Sequence, residues 1–279
     1  MAHEMTTKIK SRLAVCSWSL QPKSPEVLID NLVEIGIFRV QLALDPLRDS
    51  PHIWDKTSYL FVDAGIEIVS GMFGTIGEDY TTLDTIKKTG GVVPDQHWDE
   101  NWANIKKDAD IAEKLGLKIV TFHVGFLPTE EKDPNFKKLI NRIIQIADYF
   151  SNKNIELGFE TGQETADTLF WFLEKLDQPS IGVNFDPANM ILYAKGDPIG
   201  ALKTLAPFIK HCHIKDATLT KVPGTWGKEV PVGIGEVNWS EFFTTLEKIG
   251  YEGECCIERE AGDNRIEDIR NAREYIFQL

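Results

Sequence analysis

Residues 155–186 read IELGFETGQETADTLFWFLEKLDQPSIGVNFD. An apolar run, IELGFE, gives way to a polar turn. A stretch with helical period, Thr165–Leu176, follows, and a second apolar run, IGVNFD, closes the segment. Short apolar runs bounded by turn residues read as buried strands, and a strand–helix–strand phrase of this length points to a parallel sheet. Each run ends on an acid, Glu160 or Asp186, just before the chain breaks into a loop.

The same phrase recurs along the chain. Eight strand-like runs can be marked: Leu13–Trp18, Phe38–Leu42, Ile66–Ser70, Lys118–His123, Glu156–Glu160, Ile181–Asp186, Ile209–Lys215 and Glu254–Glu258. Helical periodicity falls between them, over Pro25–Ile35, Trp98–Leu115, Asn135–Phe150, Thr165–Leu176, Ile199–Leu205, Glu241–Ile249 and Ile266–Phe277. Ser24-Pro25, Ser50-Pro51, Asp133-Pro134 and Asp197-Pro198 each offer a capping side chain before a proline at the first helical position. Asn238 and Glu241 have capping-box spacing. Gly36, Gly65, Gly116 and Gly250 stand where a left-handed helix cap is expected. Eight strand-like runs alternating with helical segments in 279 residues match one (β/α)8 barrel, which typically takes ~250 residues. The expected organisation is a single barrel domain over residues 1–279, with residues 1–11 as a flexible tail.

Strand phase locates the chemistry. Residues i and i+2 share a face. One face carries Glu156, Gly158 and Glu160; Gly182, Asn184 and Asp186; His211, His213 and Lys215; and Glu254, Cys256, Glu258 and Glu260. The opposite face is mostly apolar, with Leu157, Phe159, Val183, Phe185, Cys212, Ile214 and Ile257, and suits packing beneath helices. The polar face therefore points into the barrel. Desolvating that many charges costs several kcal/mol each, and a bound cation is the simplest compensation. Each residue alone admits a bland reading as a solvated acid, a structural histidine or a turn. Together, Glu160, Asp186, His213 and Glu258 end four strands from consecutive βα units, on the barrel face where active sites lie. Three carboxylates and an imidazole form a hard, mostly oxygen site for one divalent ion, Mn²⁺, Mg²⁺, Co²⁺ or Zn²⁺. Around it, His123, Lys215, Trp18 and Asn189 are candidates for substrate binding, Trp18 by stacking on a sugar ring.

The formal net charge of −13 argues against a nucleic acid partner, whose backbone is usually gripped by excess Lys and Arg. Cys16, Cys212, Cys255 and Cys256 show no zinc-ribbon spacing and read as buried, reduced thiols. No run approaches the ~18 apolar residues of a membrane span, and the N-terminal run is too short and polar for a signal peptide. The expected setting is the cytoplasm, with no membrane partner. Residues 71–97 are the longest stretch without periodicity, and two readings stay open: a cover over the substrate or a solvated excursion. Gly233 and Gly235 make a short GxG that fits a loop turn better than a phosphate cradle.

The phrases FHVGF, GFETGQET, NFDPANMILY, HCHIKDA, VGIGEVNW and CIERE, which cover most of the chain from Lys118 onward, resemble the xylose-isomerase-like barrel superfamily, also called the AP endonuclease family 2 fold. That group includes sugar isomerases and epimerases, inosose dehydratases and endonuclease IV. The resemblance puts the metal ligands on Glu160, Asp186, His213 and Glu258. It also makes Glu160 and Glu258 the catalytic pair that moves a proton on either side of a substrate carbon, through an enediolate. His123 or Lys215 remains an alternative acid or base. Endonuclease IV needs a histidine where this chain has Asn189, and an Asp-x-His pair where it reads GKEVPVGIGE, so DNA cleavage is not expected. The epimerases also tend to carry histidine at the Asn189 position. The implied activity is isomerisation or epimerisation of a small polyhydroxy carbonyl compound. A lyase or dehydratase on a keto-sugar or inosose, and a non-catalytic sugar-binding barrel, are the alternatives. Homo-oligomers are common among such barrels.

Overall fold

The computed structural model describes residues 10–279. Strands β1 (Leu13–Cys16), β2 (Arg39–Ala43), β3 (Glu67–Met72), β4 (Ile119–Phe122), β5 (Glu156–Glu160), β6 (Ile181–Phe185) and β7 (Ile209–Ile214) precede a short pair, β8 (Asp216–Thr218) and β9 (Lys228–Val230), and a last strand, β10 (Cys255–Ile257). Eight of them close into a parallel barrel in the order β1-β10-β7-β6-β5-β4-β3-β2, while β8 and β9 form an antiparallel two-stranded sheet outside it. This is the (β/α)8 architecture expected from the sequence.

Chain order and barrel order coincide because each helix returns the chain to start the neighbouring strand. The helices at Pro25–Ile35 and Ala166–Leu176 lie where their periodicity places them. The predicted caps at Ser24, Asp197 and Asn238 accept the backbone N–H three residues on. Gly36, Gly65, Gly116 and Gly250 all take positive φ, as left-handed caps do. Two predicted caps fail. Ser50 makes no side-chain cap to the one-turn helix Pro51–Trp54. Asp133 instead accepts from Asn135 N, and the long helix starts later, at Phe136. Short helices at Asp45–Asp49, Thr57–Asp63, Leu83–Thr89 and Pro187–Leu192 carry too few turns to show periodicity.

The apolar core lies between barrel and helices. It gathers the outward-facing residues of the strands, among them Leu157, Phe159, Val183, Phe185 and Ile214, against helical residues such as Leu139, Ile143, Phe172 and Phe242. The barrel interior is mostly polar. Gln41, Ser70, Thr121, Asn184 and His211 fill it, all fully buried, beside a small cluster of Ala14, Cys16 and Cys256. Buried polar groups must be paired, and these are. Gln41 Nε2 donates to Thr121 Oγ1 at 2.8 Å, Ser70 Oγ lies 2.9 Å from His211 Nε2, and His211 Nδ1 lies 2.8 Å from Asn184 Oδ1. All four cysteines are free and buried. The tail expected over residues 1–11 falls, for residues 1–9, outside the described residues. Lys10 Nζ sits 4.7 Å from the centre of the Phe277 ring, and Arg39 Nη1 donates to Ser11 O. Among the described residues no helix is long and apolar enough to cross a membrane.

Candidate metal centre

Several strands end earlier than their apolar runs, and this shapes the site. β6 ends at Phe185, so Asp186 is free to cap the helix Pro187–Leu192. Its Oδ1 accepts from Ala188 N and Asn189 N, and its Oδ2 lies 4.0 Å from His213 Nδ1. β10 ends at Ile257, placing Glu258 just past the strand. β1 ends at Cys16, and Trp18 lies on the 3-10 turn Ser17–Leu20. Glu160 closes β5, and His213 is the penultimate residue of β7.

These four residues converge. Glu160, Asp186, His213 and Glu258 each offer one ligand atom, and the four atoms lie within 4.8 Å of one another, all buried. From His213 Nδ1 the nearest carboxylate oxygens are Glu258 Oε2 at 3.4 Å, Glu160 Oε1 at 3.5 Å and Asp186 Oδ2 at 4.0 Å. Glu160 Oε2, Asp186 Oδ2 and Glu258 Oε2 are buried without a hydrogen bond. Orphaned acceptors are rare in protein interiors. With His213 Nδ1, the three carboxylates form a donor set suited to a hard divalent ion. Cys16 also comes within 4.8 Å of His213 and Glu258. Burial pushes its thiol up, so it offers no thiolate.

The surrounding residues orient these four side chains. His213 Nε2 lies 2.8 Å from Gln41 Oε1, so the ring proton sits on Nε2 and Nδ1 keeps its lone pair. Asn189 Nδ2 donates to Glu160 Oε1 at 2.8 Å, and Trp18 Nε1 donates to Glu258 Oε1 at 2.6 Å. Lys215 Nζ is 2.9 Å from Glu258 Oε2 and 2.6 Å from Glu260 Oε2. His123 Nε2 is 3.4 Å from Glu160 Oε2.

Burial works against charge on every ligand. At Glu258 the neighbouring Lys215 and His213 outweigh it and hold the carboxyl well below the usual range. At Glu160, His123 and His213 do the same to a smaller degree. At Asp186 burial wins and, with Glu258 and Glu160 nearby, lifts the carboxyl well above its usual value. His213 also suffers burial, but Glu258 and Glu160 raise it far above an ordinary histidine.

Of these four, Glu258 lines a cavity of about 540 Å³. Trp18, His123, Asn189 and Lys215, each singled out in the sequence, line it. So do Tyr80, Tyr193, Trp226, Glu229 and Glu260, which sequence reasoning missed. Glu260 shares strand phase with Glu258, a usable signal. Gln41 was detectable as the polar residue of RVQLA. Tyr80, Tyr193 and Trp226 gave no signal, because loop aromatics carry no periodicity. Residues 71–97 include the helix Leu83–Thr89, closed by a Thr82/Thr85 capping box. They also deliver Glu78 and Tyr80 to the cavity, so the covering reading is the one the structure favours. The GxG turn wraps Asp216, whose carboxylate accepts from Ala217 N, Gly233 N, Gly235 N, Val237 N and Trp239 Nε1. A Cβ at Gly235 would collide with that carboxylate, which explains the glycine.

The model of the xylose isomerase-like TIM barrel family matches residues 29–279. The chain belongs to this family. A family member of solved structure, a xylose isomerase domain protein from Planctomyces limnophilus, is 31% identical, with a TM-score of 0.84 over 96% of this chain and 95% of that one. The structure of 3-keto-D-glucoside 4-epimerase from E. coli shares the fold at a TM-score of 0.74 and 12% identity, covering 96% of this chain and 99% of that one. In sequence, the inosose dehydratase of Clostridium tetani is 25% identical over 167 residues, 53% of this chain and 55% of its own length. The chain spans about half the length of curated relatives it matches. Proteins that share this fold thus include a sugar epimerase, and one sequence relative is a dehydratase.

Proposed function

We propose that the protein is a divalent-metal-dependent isomerase or epimerase acting on a sugar or cyclitol that carries a carbonyl beside a hydroxyl. The observation that carries this reading is the convergence of Glu160, Asp186, His213 and Glu258, whose buried ligand atoms lie within 4.8 Å of one another. When bound, the cation supplies Lewis-acid stabilisation of the negative charge that develops on two neighbouring substrate oxygens in the enediolate. Glu160 and Glu258 hold or remove the proton of the carbon between them, one on each face. Their other oxygens are restrained by Asn189 and Trp18, so each carboxylate is aimed before substrate arrives. His123 and Lys215, at the cavity wall beside these glutamates, are placed to meet a developing oxyanion.

A second reading is elimination. It draws support from the inosose dehydratase similarity and from the same proton abstraction, which can expel a neighbouring hydroxyl. One experiment separates the two. Keto-sugars and inososes are incubated with Mn²⁺ and protein in deuterated buffer. Epimerisation incorporates deuterium at one carbon with no group lost, whereas elimination adds an enone absorbance. Exchange that is unchanged by chelation sinks the metal-dependent reading.

A further inference from the structure

Three aromatic residues form a wall above the ligands. Tyr80 stands on the segment after β3, and Trp226 on the segment between β8 and β9, which follows β7. β3 and β7 lie on opposite sides of the closed barrel. Their two rings nonetheless meet at 6.5 Å across its mouth. Tyr193 packs edge-on against Trp226 at 4.7 Å. Tyr80 reaches back to the His123 ring at 6.3 Å, and His123 in turn contacts Glu160. All these residues but Glu160 line the one cavity. Trp226 Nε1 is buried there with no hydrogen-bond partner, and a buried indole N–H ordinarily has one.

Charge narrows what can enter. Asp45, Glu78, Glu229 and Glu260 line the outer cavity. Among the described lining residues Lys215 is the only Lys or Arg, and it is committed to Glu258 and Glu260. Asp45, Glu229 and Glu260 are already paired with Arg48, Arg259 and Lys215, so a phosphate or carboxylate on the substrate would find no uncommitted Lys or Arg among the described lining residues. The cavity, about 540 Å³, lies in the range of roughly 300–1,000 Å³ that takes drug-sized ligands, more than a lone sugar ring needs.

We propose that Tyr80, Trp226 and Tyr193 form a second subsite, which takes a ring substituent of an uncharged substrate. The substrate is then a glycoside or comparable conjugate of a polyhydroxy carbonyl compound, not a free sugar, sugar phosphate or sugar acid. The substituent's ring packs on the aromatic wall, and its linking oxygen or a hydroxyl accepts from Trp226 Nε1. This inference rests on the proposed function for which end of the substrate meets the ligands. Its test does not.

Calorimetry on the full chain would compare 4-nitrophenyl glucosides, methyl glucosides and glucose 6-phosphate, with Mn²⁺ and again with EDTA. The aryl glucoside is expected to bind about tenfold more tightly than the methyl glucoside, and glucose 6-phosphate not at all. Trp226→Ala should abolish the aryl preference, and Trp226→Phe should keep only part of it. Thermal melting confirms that both variants fold. The aryl-to-methyl ratio should persist in EDTA, because the subsite contains no ligand residue. Loss of Mn²⁺ dependence alone would therefore sink the metal reading and leave the subsite standing. Equal affinity for aryl and methyl glucosides, no binding of either, tight binding of the phosphate, or an aryl preference that survives Trp226→Ala each overturns the proposal.

Discussion

Gln41 Oε1 accepts the Nε2 proton of His213 at 2.8 Å, and Gln41's own amide nitrogen is held by Thr121 at 2.8 Å. A residue on β2 thereby decides which nitrogen of a β7 histidine is bare. Replacing Gln41 by Leu frees the ring to turn or to switch tautomer. The expected result is a ~10–100-fold loss of Mn²⁺ affinity, read by calorimetry, as is usual when the group orienting a metal-binding histidine is lost. Unchanged affinity would mean that His213 is not a ligand.

Glu160→Gln and Glu258→Gln remove the groups assigned to proton movement. Each is expected to lower solvent deuterium exchange into substrate by ~100-fold or more. Asn189→Ala and Trp18→Phe only release restraints on those glutamates, so intermediate losses are expected. Measuring kcat and KM for the four variants separates the two classes.

Cation binding should release protons. Asp186 is held well above its usual range by burial, and His213 well above its own by Glu258 and Glu160 despite burial. Both must be deprotonated to act as ligands, so Mn²⁺ affinity should rise with pH. Titration in buffers of different ionisation enthalpy counts the protons. Affinity that is flat with pH, with no proton released, contradicts the assignment.

Asp108 gives a prediction away from the centre. Its carboxyl is buried against Arg48 at 2.7 Å, and burial lifts its pKa from 3.8 to about 7 although Arg48 pulls it back. The folded state therefore binds more protons than the unfolded state between those values. Its contribution to stability is complete below the unfolded value and is lost as pH rises through about 7. Asp108→Asn should flatten the decline in unfolding free energy over that window, as read by denaturant titration at a series of pH values.

Asp216 should matter for folding of the mouth. Five donors, from Ala217, Gly233, Gly235, Val237 and Trp239, converge on its carboxylate. Asp216→Ala leaves buried N–H groups unpaired, at an expected cost of about 2–4 kcal/mol. Limited proteolysis should then cut first near residues 219–226.

The parallel barrel was legible from the sequence because its signals are local. Short apolar runs, helical periodicity and left-handed glycines depend only on neighbours along the chain. The convergence of the four candidate ligands was legible for a related reason. Strand phase sends Glu160, Asp186, His213 and Glu258 to one face and one end, and barrel closure then makes them neighbours. Strand ends were less readable, since IGVNFD does not say whether Asp186 closes a strand or caps a helix.

Only the tertiary structure decided the rest. Gln41 reaches His213 from 172 residues away along the chain. Trp18 was expected to stack on a sugar, yet its indole N–H is also bonded to Glu258, 240 residues distant. Tyr80 and Trp226 meet only because two loops lean over the barrel mouth from opposite sides. Periodicity reports which side of an element is buried. It carries no information on which loops approach one another in space, and in this protein that approach shapes the cavity wall.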